Sequence, residues 1–225
     1  MTAVRGRGGF SPEGIRRSML LYAVTDSAWL AGRSLASCVA EAVAGGATFV
    51  QLREKHLAGE ALVELAREVG AVCHAAGVPF VIDDDVEAAR LSGADGVHVG
   101  QQDTACARAR ELLGDDAIVG VSVQTVEQAL AAQADGADYL GVGAMIPTPT
   151  KPDASVVPRE ELAAICRAVD IPVVAIGGIN STTVGLLEGA GIDGVAVVSA
   201  LFAADDIGAA AADLAARAAC MVKRD

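Results

Sequence analysis

Gln51, Arg53 and Lys55 alternate with Leu52 and Glu54 along the segment VQLREK. In an extended chain the side-chain period of two puts these three on one side. Two cations and an amide aimed together suit a pyrophosphate; the plainer reading is a strand end with ordinary surface charges. Nearby, VIDDDV sets Asp83, Asp84 and Asp85 side by side, directly after an apolar run ending at Ile82. Carboxylates this close repel by roughly 4 kcal/mol per pair at about 4 Å and an effective dielectric of about 20, so solvent, a cation or a reacting group must compensate. Asp84 and Asp103, contributed by successive strand ends, form the kind of pair that holds Mg²⁺ while leaving positions open for water and phosphate oxygens. The competing reading makes them helix N-cap and first-turn acids, because residues 86–91 and 104–113 both look helical.

The loop GAMIPTPTKPDA carries Thr148, Thr150 and Lys151 between Pro147, Pro149 and Pro152. Prolines fix φ, which lowers the entropy cost of holding two hydroxyls and an ammonium around a ligand. AIGGIN, with Gly178, and VAVVSAL, with Val198 and Ser199, fit a phosphate site built from backbone N–H groups after the last two strands of a barrel. Histidine offers little: His98 lies in an apolar strand and reads as packed and hydrogen-bonded, and His56 and His74 read as surface positions. No Ser/His/Asp or Cys/His arrangement is suggested, so the chemistry points to electrostatics and a metal-bound leaving group.

The elements that must position these groups alternate in type. Short β-branched runs at Met19 to Val24, Thr48 to Leu52, Phe80 to Asp83, Gly96 to Val99, Ile118 to Ser122, Tyr139 to Gly143, Val173 to Ile176 and Val195 to Val198 each precede a helical pattern. GGATFVQ, SGADGVHVG, ADGADYLGVG and GAGIDGVAVVS repeat one pattern, in which a helix ends on small residues and a turn with Asp or Thr starts the next strand. Eight βα units without a linker predict a single (β/α)8 TIM barrel over residues 19–225, with residues 1–18 as a basic, flexible tail; a doubly wound α/β sheet is the alternative. In such a barrel the polar residues just past the strands are the ones placed to react.

Hydrophobic residues make up 52% of the chain and aromatics 3%, which implies a core of Ala, Val, Leu and Ile. A net charge of −12 argues against a nucleic-acid surface, so an anionic substrate must be held by individually placed cations. The five cysteines show no close pair suited to zinc or redox chemistry and read as reduced thiols. With no signal-peptide pattern and no bilayer-length apolar stretch, the expectation is a soluble, cytoplasmic protein without membrane partners; a homo-oligomer is compatible with the sequence.

LYAVTD, VQLREK, ADGVHVGQQD, GVGAMIPTPTKPDA, IPVVAIGGI and DGVAVVS occur in the order and spacing of the thiamine-phosphate synthase family, which the chain resembles over nearly all of residues 20–205. TPTK together with QLREK is the specific part of the match. The resemblance implies a Mg²⁺-dependent barrel transferase joining 4-amino-5-hydroxymethyl-2-methylpyrimidine diphosphate to 4-methyl-5-(2-phosphooxyethyl)thiazole, with early loss of pyrophosphate. It implies Gln51, Arg53, Lys55 and Lys151 on the pyrimidine diphosphate, and Asp84 and Asp103 on the metal. It further implies Ser122 near the pyrophosphate and the reacting carbon, and Thr148, Thr150, Gly178, Val198 and Ser199 around the thiazole phosphate, the last two through backbone N–H. Ser122, Lys151 and Arg53 are then the catalytic candidates.

The chain departs from the family pattern where Asp83 replaces an Asn, Gln124 a frequent His, and Ala144-Met145-Ile146 a Pro-Ile-aromatic wall. A carboxylate at 83 cannot donate a hydrogen bond to pyrophosphate; it is expected to join Asp84 around the cation, directly or through water. Two alternatives remain at this stage. One is a thiazole tautomerase-like barrel, which would rely on His at position 124 and lack TPTK; the other is a non-catalytic barrel that binds thiamine or thiazole phosphate.

Overall fold

The computed structural model describes residues 10–30, 32–147 and 155–222. Eight parallel strands close into a barrel in sequence order: β1 (Leu21–Val24), β2 (Phe49–Leu52), β3 (Phe80–Asp83), β4 (Gly96–Val99), β5 (Ile118–Val123), β6 (Tyr139–Val142), β7 (Val173–Ile176) and β8 (Gly194–Val197). The closing ladder pairs Tyr22 of β1 with Ala196 of β8. Closure rules out the doubly wound alternative, whose sheet is open.

Helices α1 (Pro12–Ser18), α2 (Leu35–Ala44), α3 (Gly59–Ala75), α4 (Val86–Ser92), α5 (Cys106–Leu113), α6 (Val126–Ala134), α7 (Arg159–Ala168), α8 (Ser199–Phe202) and α9 (Ile207–Met221) complete the order. After β7 the chain makes only a short 3-10 turn at Val184–Leu187, whose Val184 and Leu187 are buried. Two apolar layers result. One, rich in Ala, Val and Leu, lies between strands and helices; the other fills the barrel with Tyr22, Val24, Phe49, Val81, Ile118, Tyr139, Val174 and Ala196.

The tail expected over residues 1–18 does not extend that far. Ser11 caps α1 by accepting from the Gly14 N–H, Pro12 starts the helix and Glu13 sits in its first turn, an arrangement that suits the helix dipole. Ile15 and the following Met19 are 1% and 0% exposed and belong to the barrel interior layer, so α1 plugs the bottom of the barrel. Arg16 pins the helix there through Asp193 at 2.5 Å.

The repeated Asp or Thr before alternate strands has one job in common. Thr48 Oγ1 accepts from the Leu21 N–H at 3.0 Å, Asp95 Oδ2 from Phe80 N–H, Asp138 Oδ2 from Val119 N–H and Asp193 Oδ2 from Val173 N–H, the last three at 2.8 Å. The backbone N–H of each of these residues returns a bond to the carbonyl of the same partner. Each therefore stitches the start of one strand to the start of the next and satisfies a backbone donor that the ladder leaves over.

Candidate active site

The cations of VQLREK meet the acids of VIDDDV at the end of β2 and β3. Lys55 Nζ lies 2.9 Å from Asp83 Oδ2 and 2.6 Å from Asp84 Oδ2, and Arg53 Nε lies 3.7 Å from the same Asp83 oxygen. Arg53 also reaches Asp26 at 3.4 Å, and its backbone is held by Thr25, whose hydroxyl accepts from the Arg53 N–H at 3.0 Å. Burial raises the Asp83 carboxyl above the ordinary range and the neighbouring Asp84 adds to it, against the opposing pull of Lys55 and Arg53. For Lys55, partial burial pulls down but the hydrogen bonds to Asp84 and Asp83 outweigh it, and the ammonium stays firmly charged.

Asp84 is the one non-glycine residue with positive φ among the described residues, at +62°. The Asp85 N–H donates to the Asp83 carbonyl at 2.7 Å, closing a three-residue turn around it, and the Asp84 N–H is held by the His98 carbonyl of β4 at 2.8 Å. Backbone of this kind costs energy and persists where the surroundings fix it, commonly at functional positions. Asp85, the third acid, caps α4 by accepting from Ala88 N–H, so its explanation is local.

Asp103 folds back over the end of β4, its Oδ2 accepting from Gly100 N–H at 2.8 Å. A Cβ on Gly100 would stand 2.7 Å from that oxygen and push the Asp103 carboxylate aside. Burial raises the Asp103 carboxyl, and Asp84, within hydrogen-bonding reach of it, raises it further. Two carboxylates driven this close fit a hard divalent cation completed by water and phosphate oxygens. Among the described residues no cluster of three or more His, Cys, Asp or Glu is arranged to hold a metal.

Gln51 follows the period-two expectation but is buried instead of standing open at the rim. It points inward as Arg53 does, but it is 4% exposed and its amide nitrogen donates to the Tyr22 hydroxyl at 2.7 Å. His98, packed and hydrogen-bonded as its apolar strand suggested, lies 3.0 Å from the Tyr139 hydroxyl and 2.9 Å from Ser122 Oγ at the end of β5. Sequence reasoning missed Tyr22 and Tyr139; their inward position on β1 and β6 was the available signal.

Beyond β6 and β7 the loops zip together, Met145 N–H to Ile176 carbonyl at 2.9 Å and Ile146 N–H to Gly177 carbonyl at 3.1 Å. Gly178, at φ +70°, makes this possible, since a Cβ there would meet Ile146 Cβ at 2.5 Å. Val198 and Ser199 follow at the start of α8, on the neighbouring strand end. Thr148, Thr150 and Lys151 lie outside the described residues. Gln124 ties two loops, its amide donating to the carbonyls of Gly143 at 3.2 Å and Ser155 at 3.4 Å.

The strand ends thus gather a rim of alternating charge on one side and a glycine-lined shelf on the other. A family model described as "Thiamine monophosphate synthase" matches residues 21–201. The chain is 48% identical over 197 residues to a thiamine-phosphate synthase of Chloroflexus aurantiacus, covering 87% of this chain and 91% of that protein. It is 44% identical over 194 residues to one of Clostridium tetani, with 86% and 93% covered. A thiamine phosphate pyrophosphorylase from Pyrococcus furiosus superposes with a TM-score of 0.84 at 36% identity, over 91% of this chain and 98% of that one.

Proposed function

The chain belongs to the thiamine monophosphate synthase family, and from that premise we propose that it joins 4-amino-5-hydroxymethyl-2-methylpyrimidine diphosphate to 4-methyl-5-(2-phosphooxyethyl)thiazole, giving thiamine phosphate and pyrophosphate. The observation that carries this reading is the meeting of the Arg53–Lys55 cations with the Asp84–Asp103 carboxylates on one rim. A diphosphate needs both partners, cations directly and carboxylates by way of a divalent ion. That the relatives reported above bear the synthase name favours this activity over a tautomerase-like or purely binding role.

In this reading Arg53, Lys55 and Lys151 neutralise the diphosphate as negative charge builds on it during C–O cleavage, the dominant way such a site lowers its barrier. Asp84 and Asp103 would hold Mg²⁺, which supplies further neutralisation of the leaving diphosphate when bound. Gln51 offers its carbonyl oxygen to the pyrimidine, its amide nitrogen being held by Tyr22. Ser122 stands at the diphosphate beside the reacting carbon. Thr148, Thr150 and Gly178, with the N–H groups of Val198 and Ser199, hold the thiazole phosphate and so aim the ring nitrogen at that carbon, an alignment worth a large part of the rate.

The test is direct. Purified protein incubated with both substrates and Mg²⁺ is expected to form thiamine phosphate and pyrophosphate in equal amounts; tight ligand binding with no pyrophosphate release overturns the proposal. No helix among the described residues is long and apolar enough to cross a membrane.

A further inference from the structure

A line of hydrogen bonds runs through the barrel interior from β2 to β5. Gln51 Nε2 donates to Tyr22 Oη at 2.7 Å, the two tyrosine hydroxyls are 2.7 Å apart, Tyr139 Oη lies 3.0 Å from His98 Nδ1, and His98 Nε2 lies 2.9 Å from Ser122 Oγ. The barrel is carved to fit it. Gly120 is paired with His98 on one side and Tyr139 on the other. A Cβ on it would stand 2.1 Å from the Tyr139 ring, so its missing side chain is what lets those two rings meet. Gly141, paired with Ser122, gives a smaller clearance beside His98, where a Cβ would come within 3.3 Å of the imidazole.

Counting protons gives the line a direction. The Tyr22 oxygen already accepts from Gln51, so its own proton goes to the Tyr139 oxygen; the Tyr139 proton then goes to His98 Nδ1, and His98 Nε2–H donates to Ser122 Oγ. With the Gln51 amide nitrogen on Tyr22, the opposite direction would make Tyr22 accept from both sides and leave its own proton without an acceptor among its hydrogen-bond partners, at a site 1% exposed; reversing the line requires the Gln51 amide to turn its oxygen to Tyr22. Burial raises both phenols well above their ordinary range, so each remains a donor.

We infer that Gln51, Tyr22, Tyr139 and His98 form a one-way relay that fixes the Ser122 hydroxyl as an acceptor on its inner side and therefore as a hydrogen-bond donor toward the ligand. Tyr139 and His98 are positioning residues: they act on the substrate through Ser122. This rests on the proposed diphosphate chemistry. There, a donor already aimed at the leaving oxygens serves where charge develops and needs no reorientation as the bond breaks.

The relay is tested by ¹⁵N NMR of the imidazoles, a spectrum with only three histidines. The expected result for the wild-type protein is a neutral His98 with its proton on Nε2 and a bare Nδ1. Tyr139→Phe, which removes one hydroxyl and little volume, is expected to move both His98 nitrogens toward averaged shifts. The same variant should lower kcat roughly tenfold with KM for the pyrimidine diphosphate unchanged, less than the ~10²–10³ of losing such a donor outright. A wild-type His98 protonated on Nδ1, or a Tyr139→Phe variant with wild-type kcat, overturns the inference. The wild-type spectrum requires no variant to fold. If the wild-type protein forms no thiamine phosphate, the functional reading and the task assigned to Ser122 fall together, while the tautomer still decides whether the relay exists.

Discussion

Asp83 holds both rim cations with one oxygen, Lys55 at 2.9 Å and Arg53 at 3.7 Å. An incoming diphosphate must take those cations over while facing the carboxylate that held them. Asp83→Asn relieves that competition and supplies a donor, so KM for the pyrimidine diphosphate is expected to fall roughly tenfold, about 1.4 kcal/mol, in steady-state kinetics. Unchanged KM and Mg²⁺ dependence would make Asp83 a bystander. At the other end of the barrel Asp95 offers a pH test. Burial raises its carboxyl, against the Phe80 N–H and His74. The unfolded chain releases this proton near pH ~3.9 and the folded chain only at higher pH, so across that window folding takes up a proton and stability falls as pH rises. Asp95→Asn keeps an acceptor for Phe80, and its stability relative to wild type is expected to improve as pH rises through the window and to level off above it, in denaturation at a series of pH values. The charged and hydroxyl groups of the site were legible because they break apolar strands at their ends. The two tyrosines were not, because a buried phenol and a buried phenyl have the same signature in sequence until a partner is seen.

The strands follow the expected runs to within two residues at most ends, as for β1 at Leu21–Val24 against Met19 to Val24. Alternation of β-branched and Ala-rich segments is a strong signal when every strand is buried on both faces. Helix α1 escaped because glycines and arginines dominate its surroundings, although Ser11, Pro12 and Glu13 spell a helix start. Its value is in closure. Ile15→Ala is expected to cost about 2–5 kcal/mol by opening a cavity under the barrel, read by chemical denaturation. Loss of less than about 1 kcal/mol would mean that α1 rests on the barrel without filling it. The segment after β7 departs in the opposite sense: Gly185 lies within the turn at Val184–Leu187 and Gly189 just past it, and glycines this dense do not sustain a helix.

At the scale of the molecule, composition announced the architecture: a core of small aliphatic residues with 3% aromatics. It did not announce where the aromatics gather. Tyr22, Phe49 and Tyr139 meet at tilted and edge-on angles inside the barrel with centroids 4.5 to 5.7 Å apart, which concentrates both tyrosines of the chain beneath the rim. The net charge of −12 is similarly blind to place, for Arg53 and Lys55 face acids of the same rim. At the base, Thr48, Asp95, Asp138 and Asp193 join β1 to β2, β3 to β4, β5 to β6 and β7 to β8. The barrel is therefore modular in quarters, each a strand pair carrying its own fastening. A cut between Leu113 and Ile118 would separate two half-barrels with both fastenings intact in each. A ring of this kind can grow by duplicating one fastened pair, because the ladder between β8 and β1 is the same parallel pairing found at every other seam.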